Sequence, residues 1–316
     1  MEYYPKIDVS CIIINYNTAK YTFEAVKSII DNNTAIDLTF EIIVIDNNSE
    51  KNDFEHLESQ INILNSDCVK LIRSNFNHGF GGGNMLGVHY ASNSRYYAFI
   101  NNDTLQVTKN CLKLLRDFML NTPNAGICSP QMLDENKNFR VTIDHFASLP
   151  REILKRAILE KLFPSKYLNR KTTYKSPQKV NYVQGSFMFI DALSFNKIGG
   201  FDTNLFLYYE ESDLSLRLLK NLNKDTYLIP DAEYIHYKSK SIQRNINIKI
   251  EQKIALLYYI EKHHGWFAKK ILNTHFVIRY FFSSLIKPKY WKLWLVLLAG
   301  APLSLSLKQK QKINPL

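Results

Sequence analysis

Glu41-Ile-Ile-Val-Ile-Asp46, followed at once by Asn47-Asn48-Ser49, decides how the chain is read. Ile42 to Ile45 are all β-branched and do not alternate with polar residues, which predicts a short strand buried on both faces. The run then stops abruptly in side chains that need hydrogen-bond partners. The same pattern recurs on either side. Val9 to Asn15 is a second such run, followed by helix-spaced residues from Tyr21 to Asp31, and Val69 to Arg73 is a third. The third run leads into a loop, Asn75-Phe-Asn-His-Gly-Phe-Gly-Gly-Gly-Asn84, and then a helix to about Ser92. A fourth strand, Tyr96 to Ile100, runs into Asn101-Asn102-Asp103. Strands alternating with helices predict an α/β fold with a mainly parallel sheet covered by helices on both faces. Each strand delivers polar residues to its carboxyl end, the edge at which open α/β sheets bind ligands.

The chain has 316 residues, 46% of them hydrophobic, enough for one large α/β unit at 1–245 and an appendage at 246–316. The net charge is +11, and the stretch from Lys262 onward holds ten Lys or Arg and no Asp or Glu. Its uncharged part, Leu293 to Leu307, contains Pro302 and falls short of the about 20 residues that a spanning helix needs. With Trp291 and Trp294 at its start and lysines at both ends, it predicts a helix lying on an anionic membrane surface. A helix packed on the main unit is the alternative. No nucleic-acid-binding motif accompanies the basic tail, so nucleic acid is not an expected partner. Cys11, Cys68, Cys111 and Cys128 form no C-x-x-C pair and read as reduced core thiols. The start, Met1 to Asp8, lacks the charged and apolar regions of a secretion signal. A cytoplasmic protein, peripheral on the inner face of the membrane, is therefore expected, and homo-oligomer formation stays open.

Between 140 and 179 the αβ rhythm is lost and the sequence becomes basic. An amphipathic helix is expected from Arg151 to Phe163, with Leu154, Ala157, Ile158 and Leu162 on its apolar face and Arg151, Lys155, Arg156 and Lys161 on the rest. It reads as a helix docked on the core, or as a flap over a binding site.

The densest chemistry lies in Phe201-Asp-Thr-Asn-Leu-Phe-Leu-Tyr-Tyr-Glu-Glu-Ser-Asp-Leu-Ser-Leu-Arg217. Glu210, Glu211 and Asp213 repel one another by about 1 kcal/mol per pair in water and more in a dry cleft. A metal, a proton or a helix N-terminus would offset that, and the leucine spacing after Asp213 places the acids at a helix start. The glycine-rich stretch contains neither G-x-G-x-x-G nor G-x-x-x-x-G-K-[ST], which excludes the dinucleotide and P-loop fingerprints. Asp103 is a single carboxylate at a strand end, able to hold Mg²⁺ or Mn²⁺ while phosphates and waters complete the shell.

Taken in order, Val9 to Asn17, Val44-Ile-Asp-Asn-Asn-Ser49, Asn75 to Asn84, Asn101-Asn-Asp103, Val183-Gln-Gly-Ser-Phe-Met188 and Phe201 to Arg217 resemble the inverting family 2 glycosyltransferases of GT-A (Rossmann-like) fold. The likeness is strongest to bacterial rhamnosyltransferase-like enzymes of surface polysaccharide synthesis, and it covers roughly residues 8 to 240. It implies transfer of a sugar from a dTDP- or UDP-sugar to a hydroxyl of a lipid-linked saccharide. It also implies that Asp46 contacts the nucleobase, with Asn15 and Asn17 near the nucleoside, and that Asn77, His78, Gly79, Gly81 and Asn84 approach the donor with Asn102 and Asp103. Asp103 and His236 would bind Mg²⁺ or Mn²⁺, and Glu210 and Glu211 would stand where the family has its catalytic base. On the acceptor side Gly185 is a candidate, and Asp202, after Gly199-Gly200-Phe201, reads either as a contact of an acceptor hydroxyl or as a turn cap. Glu211 is the expected base, with Glu210 and Asp213 as the other candidates.

The chemistry asks for the same residue types. A nucleoside diphosphate gains negative charge as it leaves, which a divalent ion stabilises, and the attacking hydroxyl must lose a proton to a carboxylate on the opposite face. A crowded acid group would have one member with a raised pKa. A reading from another class is a non-catalytic nucleotide-sugar-binding or membrane scaffold protein with a degenerate site. The tail is expected to be separable, so that loss of residues 291 to 316 releases the protein from membranes and leaves donor binding intact.

Overall fold

The four apolar runs form four neighbouring parallel strands in the computed structural model, which describes residues 5–237 and 245–313. The expected boundary near residue 245 and the reading of residues 1–4 touch segments outside those described. In chain order come β1 (Ile7–Asn15), α1 (Ala19–Asn32), β2 (Phe40–Asn47), α2 (Lys51–Leu64), β3 (Val69–Ser74), α3 (Gly79–Tyr90) and β4 (Ser94–Asn101). β1 is central, with Ile12 opposite Ile43 of β2 and Phe99 of β4, and β3 extends the sheet beyond β2. All four strands therefore end at one edge, in Asn15, Asn47, Ser74 and Asn101.

The next part widens the sheet. It comprises β5 (Thr104–Gln106), α4 (Cys111–Asn121), β6 (Ala125–Leu133), β7 (Ile143–Asp144), α5 (Leu149–Leu154), α6 (Arg156–Leu162), β8 (Gln178–Val180), β9 (Tyr182–Val183), β10 (Phe187–Asp191), α7 (Ala192–Lys197), α8 (Glu210–Leu222) and β11 (Asp225–His236). The strand order is β3-β2-β1-β4-β10-β6-β11-β5, with β8 beside β11 and a separate β7-β9 pair. β10 is antiparallel to both its neighbours, and β11 runs parallel to β6. Because successive strand residues face opposite sides, Cys11 and Ile13 join the apolar layer under α1, α2 and α4. Ile12 joins the other, with Phe195 of α7 and Leu214 of α8.

The C-terminal region is helical, as expected. It holds α9 (Ile246–Ile286), broken at Gly265 where φ is 85°, then α10 (Trp291–Leu298) and short 3₁₀ turns at Leu303–Leu305 and Leu307–Lys310. Ile254, Leu257, Phe276, Leu293 and Leu297 form its own apolar cluster, which reaches Leu216 of α8 and Ala147.

Two local expectations need correction. The glycine stretch is a loop only as far as His78, because α3 starts at Gly79. Its glycines let the helix lie directly on β1: a Cβ on Gly83 would stand 2.9 Å from Ile14 Cδ1, and one on Gly87 would stand 2.3 Å from Ile12 Cγ2. The predicted helix from Arg151 to Phe163 is split at Lys155 (φ 71°) into α5 and α6, and its expected apolar face is exposed while Lys155 and Lys161 stay outside and Arg151 is buried. Arg151 is 3% exposed, whereas Leu154, Ile158 and Leu162 are 46%, 46% and 60% exposed. Arg151 can be buried because Asp144 Oδ2 and Glu152 Oε1 lie 2.9 and 3.2 Å from its guanidinium.

Gly87→Ala puts a methyl group inside the contact with Ile12. It should destabilise the fold by roughly 1–3 kcal/mol, read as a lower midpoint of urea unfolding.

Candidate active site

The polar strand ends at the carboxyl edge are bound mainly to one another. Asp46 is fully buried; its Oδ1 accepts from Asn15 Nδ2 at 2.9 Å, its Oδ2 accepts from the Ser49 backbone N–H at 3.2 Å, and Arg73 Nε lies 3.8 Å away. The Asn15 amide also reaches Ser49 Oγ and Asp53 Oδ2, and its carbonyl accepts from Thr22 Oγ1. Asn17 is exposed and left-handed (φ 54°), and its backbone N–H donates to Ser49 Oγ. Asn15, Asn17 and Asp46 thus brace the edge, and none of them is among the described residues that line the cavity above it.

That cavity has a volume of about 360 Å³, within the range of small-molecule sites. Asn47, Asn77, Gly79, Asn84 and Asn102 line it. Asn77 Oδ1 accepts from Asn47 Nδ2 and from the Gly79 N–H, while Asn47 Oδ1 accepts from the His78 N–H, so two amides clamp the turn into α3. Gly79 has φ 71° and lies so close to Phe206 that a Cβ would stand 2.3 Å from the Phe206 carbonyl oxygen, which excludes any side chain. Asn102 donates to Thr18 and Thr22 Oγ1. The His78 ring turns toward Ser74 Oγ at 3.0 Å, and burial together with the Lys308 charge lowers its pKa. Gly81 lies under α8, where a Cβ would stand 3.5 Å from Glu210 Cγ.

The tail closes this cavity. Leu307 and Gln311 line it, and the segment is anchored by Glu251, whose Oε1 accepts from Ser306 Oγ at 2.8 Å and whose Oε2 accepts from the Leu307 N–H at 2.7 Å. Lys308 Nζ donates to the Thr203 carbonyl, and Asn48 donates to the Lys312 carbonyl. The tail is thus docked on the main unit, because a buried carboxylate on α9 captures the chain and brings it back over the sheet edge.

A second cavity, of about 340 Å³, adjoins the first across Phe80, Asn101 and Leu207, which line both. Glu210, Glu211, Gly185, His236 and Arg151 face it. Tyr208 and Tyr209, both with positive φ (78° and 71°), lead into α8 and present the two glutamates in its first turn. Glu210 is 1% exposed and its Oε1 has no hydrogen-bond partner among the described residues. Burial, then the charge of Glu211, pushes its pKa well above the usual carboxylate range. Burial raises Glu211 to about 7, against the opposing effect of a backbone hydrogen bond. Desolvation, rather than the crowding expected from the sequence, is the main cause in both.

Asp213 points elsewhere. Its Oδ2 accepts from Arg217 Nε at 2.7 Å, and its Oδ1 accepts from Lys262 Nζ at 2.6 Å and faces His263 Nε2 at 2.8 Å. Burial alone would raise its pKa; His263, Arg217 and Lys262 outweigh it and hold the carboxyl at about 2. Asp202 is likewise tied to α9, accepting from Tyr258 Oη at 2.8 Å and Lys262 Nζ at 2.7 Å. Neither lines the two cavities among the described residues.

Asp103 and His236 meet, as the family resemblance implies. β5 and β11 pair with Thr104 opposite His236, and Asp103 Oδ1 lies 3.1 Å from His236 Nε2. His236 Nδ1 is buried without a partner among the described residues, and no group of three His, Cys, Asp or Glu side chains able to hold a metal occurs among them. The ring nitrogen beside Asp103 is Nε2, not the orphaned Nδ1, so an ion shared by the two side chains would take Nε2 and the carboxylate, and would need a bound diphosphate and water for its remaining ligands.

Sequence reasoning gave no role to the walls made by Asn47, Phe206, Arg151, Leu307 and Gln311. Asn47 was within reach, since it follows Asp46 at a strand end. Nothing local in the sequence marks the other four.

Comparison with known proteins places the fold and the sequence in a family. A model of Glycosyl transferase family 2 matches residues 10–199. The N-acetylglucosaminyl-diphospho-decaprenol L-rhamnosyltransferase of Mycobacterium tuberculosis is 26% identical over 217 residues, 63% of this chain and 68% of that one. The low-salt glycan biosynthesis hexosyltransferase Agl10 of Haloferax volcanii is 28% identical over 71% of this chain and 66% of its own length. Among solved structures, the mannosyltransferase PcManGT of Pyrobaculum calidifontis, in complex with GDP-Man and Mn²⁺, superposes with a TM-score of 0.56 at 14% identity, covering 95% of this chain and 89% of that one. GalNAc-T7 with UDP, GalNAc and Mn²⁺ gives 0.60 at 17% identity over 81% of this chain, which spans only 48% of that protein. The structural likeness shows the GT-A fold, and the sequence match shows that the chain belongs to glycosyl transferase family 2.

Proposed function

We propose that the chain is an inverting glycosyltransferase that moves a sugar, with rhamnose the first candidate, from a dTDP- or UDP-sugar to a hydroxyl of a lipid-linked saccharide in bacterial surface polysaccharide synthesis. The observation that carries this reading is the junction of the two cavities: an amide-lined cavity meets one that holds a carboxyl raised to about 7. The first suits a nucleotide sugar, with Asn47, Asn77, Gly79, Asn84 and Asn102 as its contacts and the Asn15-Asp46 network holding them in register. The second suits the acceptor, beside Gly185.

Glu211 is the base. A base works best with a pKa near the operating pH, and Glu211 retains partial exposure to the acceptor cavity. As the acceptor oxygen bonds to the anomeric carbon, its proton passes to Glu211, and the bond to the diphosphate breaks on the opposite face, which inverts the centre. Glu210, kept neutral by burial, adds no second charge beside the base. Asp213 is left out of this role and fixes α8 instead. Asp103 and His236 would hold Mg²⁺ or Mn²⁺, the latter present with both structural neighbours, and the ion would offset charge on the departing diphosphate.

The reading includes attachment to the inner face of an anionic membrane. No helix among the described residues is long and apolar enough to cross a membrane. Phe267, Phe282, Ile286 and Leu295 are exposed on the C-terminal helices, within a region that carries ten cations and no acid.

Glu211→Gln should lower kcat by about 10²–10⁴, while Glu210→Gln should stay within about tenfold of the parent. The reverse order in steady-state assays would move the base to Glu210. Because the base must be ionised, kcat/KM should rise with pH, flatten above about 7 and fall about tenfold per unit below it. Asp103→Ala should abolish Mn²⁺-dependent donor binding in calorimetry; undiminished binding removes Asp103 from the metal. Deleting residues 303–316 should weaken donor binding by at least about tenfold, and unchanged affinity would show that the tail wall is dispensable.

A further inference from the structure

Lys249, Lys253 and Arg279 gather where the two segments of α9 pack together. None of them belongs to an ion pair among the described residues; each lies over an aromatic ring instead. Lys253 Nζ is 3.9 Å from the centre of the Phe276 ring, Lys249 Nζ is 4.4 Å from that of Tyr290 and 3.1 Å from its hydroxyl, and Arg279 stands 6.0 Å from Tyr280. Rings hold cations weakly and leave most of their N–H donors unused; three neighbouring cations thus share no ion pair, and Glu152 is the one carboxylate whose charge acts on Lys253. Lys253 is half-buried and its pKa is lowered to about 8, by burial first and then, against the pull of Glu152, by Arg279, Lys249 and Arg151.

The position is specific. Gln252, next to Lys253, lines the acceptor cavity, as does Arg151. On the other side the same helices expose Phe281, Phe282, Ile286 and Trp291. The cations thus lie between the pocket of the base and an apolar surface.

We propose that Lys249, Lys253 and Arg279 form the site for the diphosphate of a lipid-diphosphate-linked acceptor, resting on the lipid-linked acceptor of the proposed function. The sugar enters the pocket of Glu211, the diphosphate meets the three cations, and the lipid follows the apolar rim into the membrane. Phospholipid headgroups share this chemistry but would be met by outward lysines such as Lys289, which is exposed, rather than by a half-buried Lys253 seated on Phe276.

The test titrates the full chain with farnesyl diphosphate, a short lipid diphosphate, by calorimetry. In parallel, it sediments the protein with phosphatidylcholine vesicles containing one-fifth phosphatidylglycerol. Lys253→Met keeps the stem on Phe276 and removes the charge, and Lys249→Gln does the same at a second half-buried position should the first not fold. Each should weaken farnesyl diphosphate binding by about tenfold while changing vesicle binding less than twofold. Undiminished binding by the variants, no binding by the parent chain, or a loss of vesicle binding in step with it would each overturn the proposal. No nucleotide sugar or transfer step enters this experiment, so failure of the transferase reading would show in donor and activity assays and leave this result readable.

Discussion

Asp213 fixes the geometry on which the site depends. Its buried carboxylate takes Arg217 from its own helix and Lys262 and His263 from α9, and Arg217 also donates to the carbonyls of Ile198 and Gly200. One charge therefore joins α8, the turn after α7 and the C-terminal helices. Removing a partner from such a pair leaves a buried charge uncompensated, at a cost of about 3–5 kcal/mol. α8 carries Glu210 and Glu211, while α9 carries Ile248 and Gln252 on the cavity walls and Glu251 on the tail. A shift between these helices would disturb both cavities together.

The glutamate pair shows how one helix start can serve opposite ends. Three acids share the first turn of α8, where the helix dipole favours negative charge. Asp213 is ionised because cations reach it; Glu210 and Glu211 lie on the side where few do, and burial drives them toward the neutral form. The positive φ of Tyr208 and Tyr209 is the local strain that turns the chain so that the pair faces the cavity. The charge problem visible in the sequence is thus solved by separation: one acid is used for structure and two face the second cavity with raised pKa values.

Much of this was legible because it is local. The four parallel strands, their polar ends and the helices between them follow from periods of two and 3.6 residues, and the strand ends led to Asp103 and Asn102. The meeting of Asp103 with His236 across 133 positions was legible only through motif order. What was hidden depends on partners far away in sequence. Arg151 reads as an outward charge until Asp144 and Glu152 are seen around it, and its burial follows from that ion cluster. Asp213 reads as a catalytic candidate until Lys262 and His263 arrive from α9. Asn15 and Asp46 are named by the resemblance alone, and the sequence does not show that Asn15 also reaches Ser49, Asp53 and Thr22 while Asp46 accepts from Asn15 and the Ser49 N–H.

Glu251 links the tail to the chemistry. Its carboxylate is buried, accepts from Ser306 and Leu307, and is also one of the charges that raise the pKa of Glu210. Burial raises the pKa of Glu251, and the two hydrogen bonds from the tail oppose that rise; docking thus favours the charge on Glu251 that in turn raises the pKa of Glu210. The same docking places Leu307 and Gln311 in the wall of the first cavity. The tail that follows α10 therefore shapes one cavity through contact and acts on the acid pair at the other through the charge of Glu251.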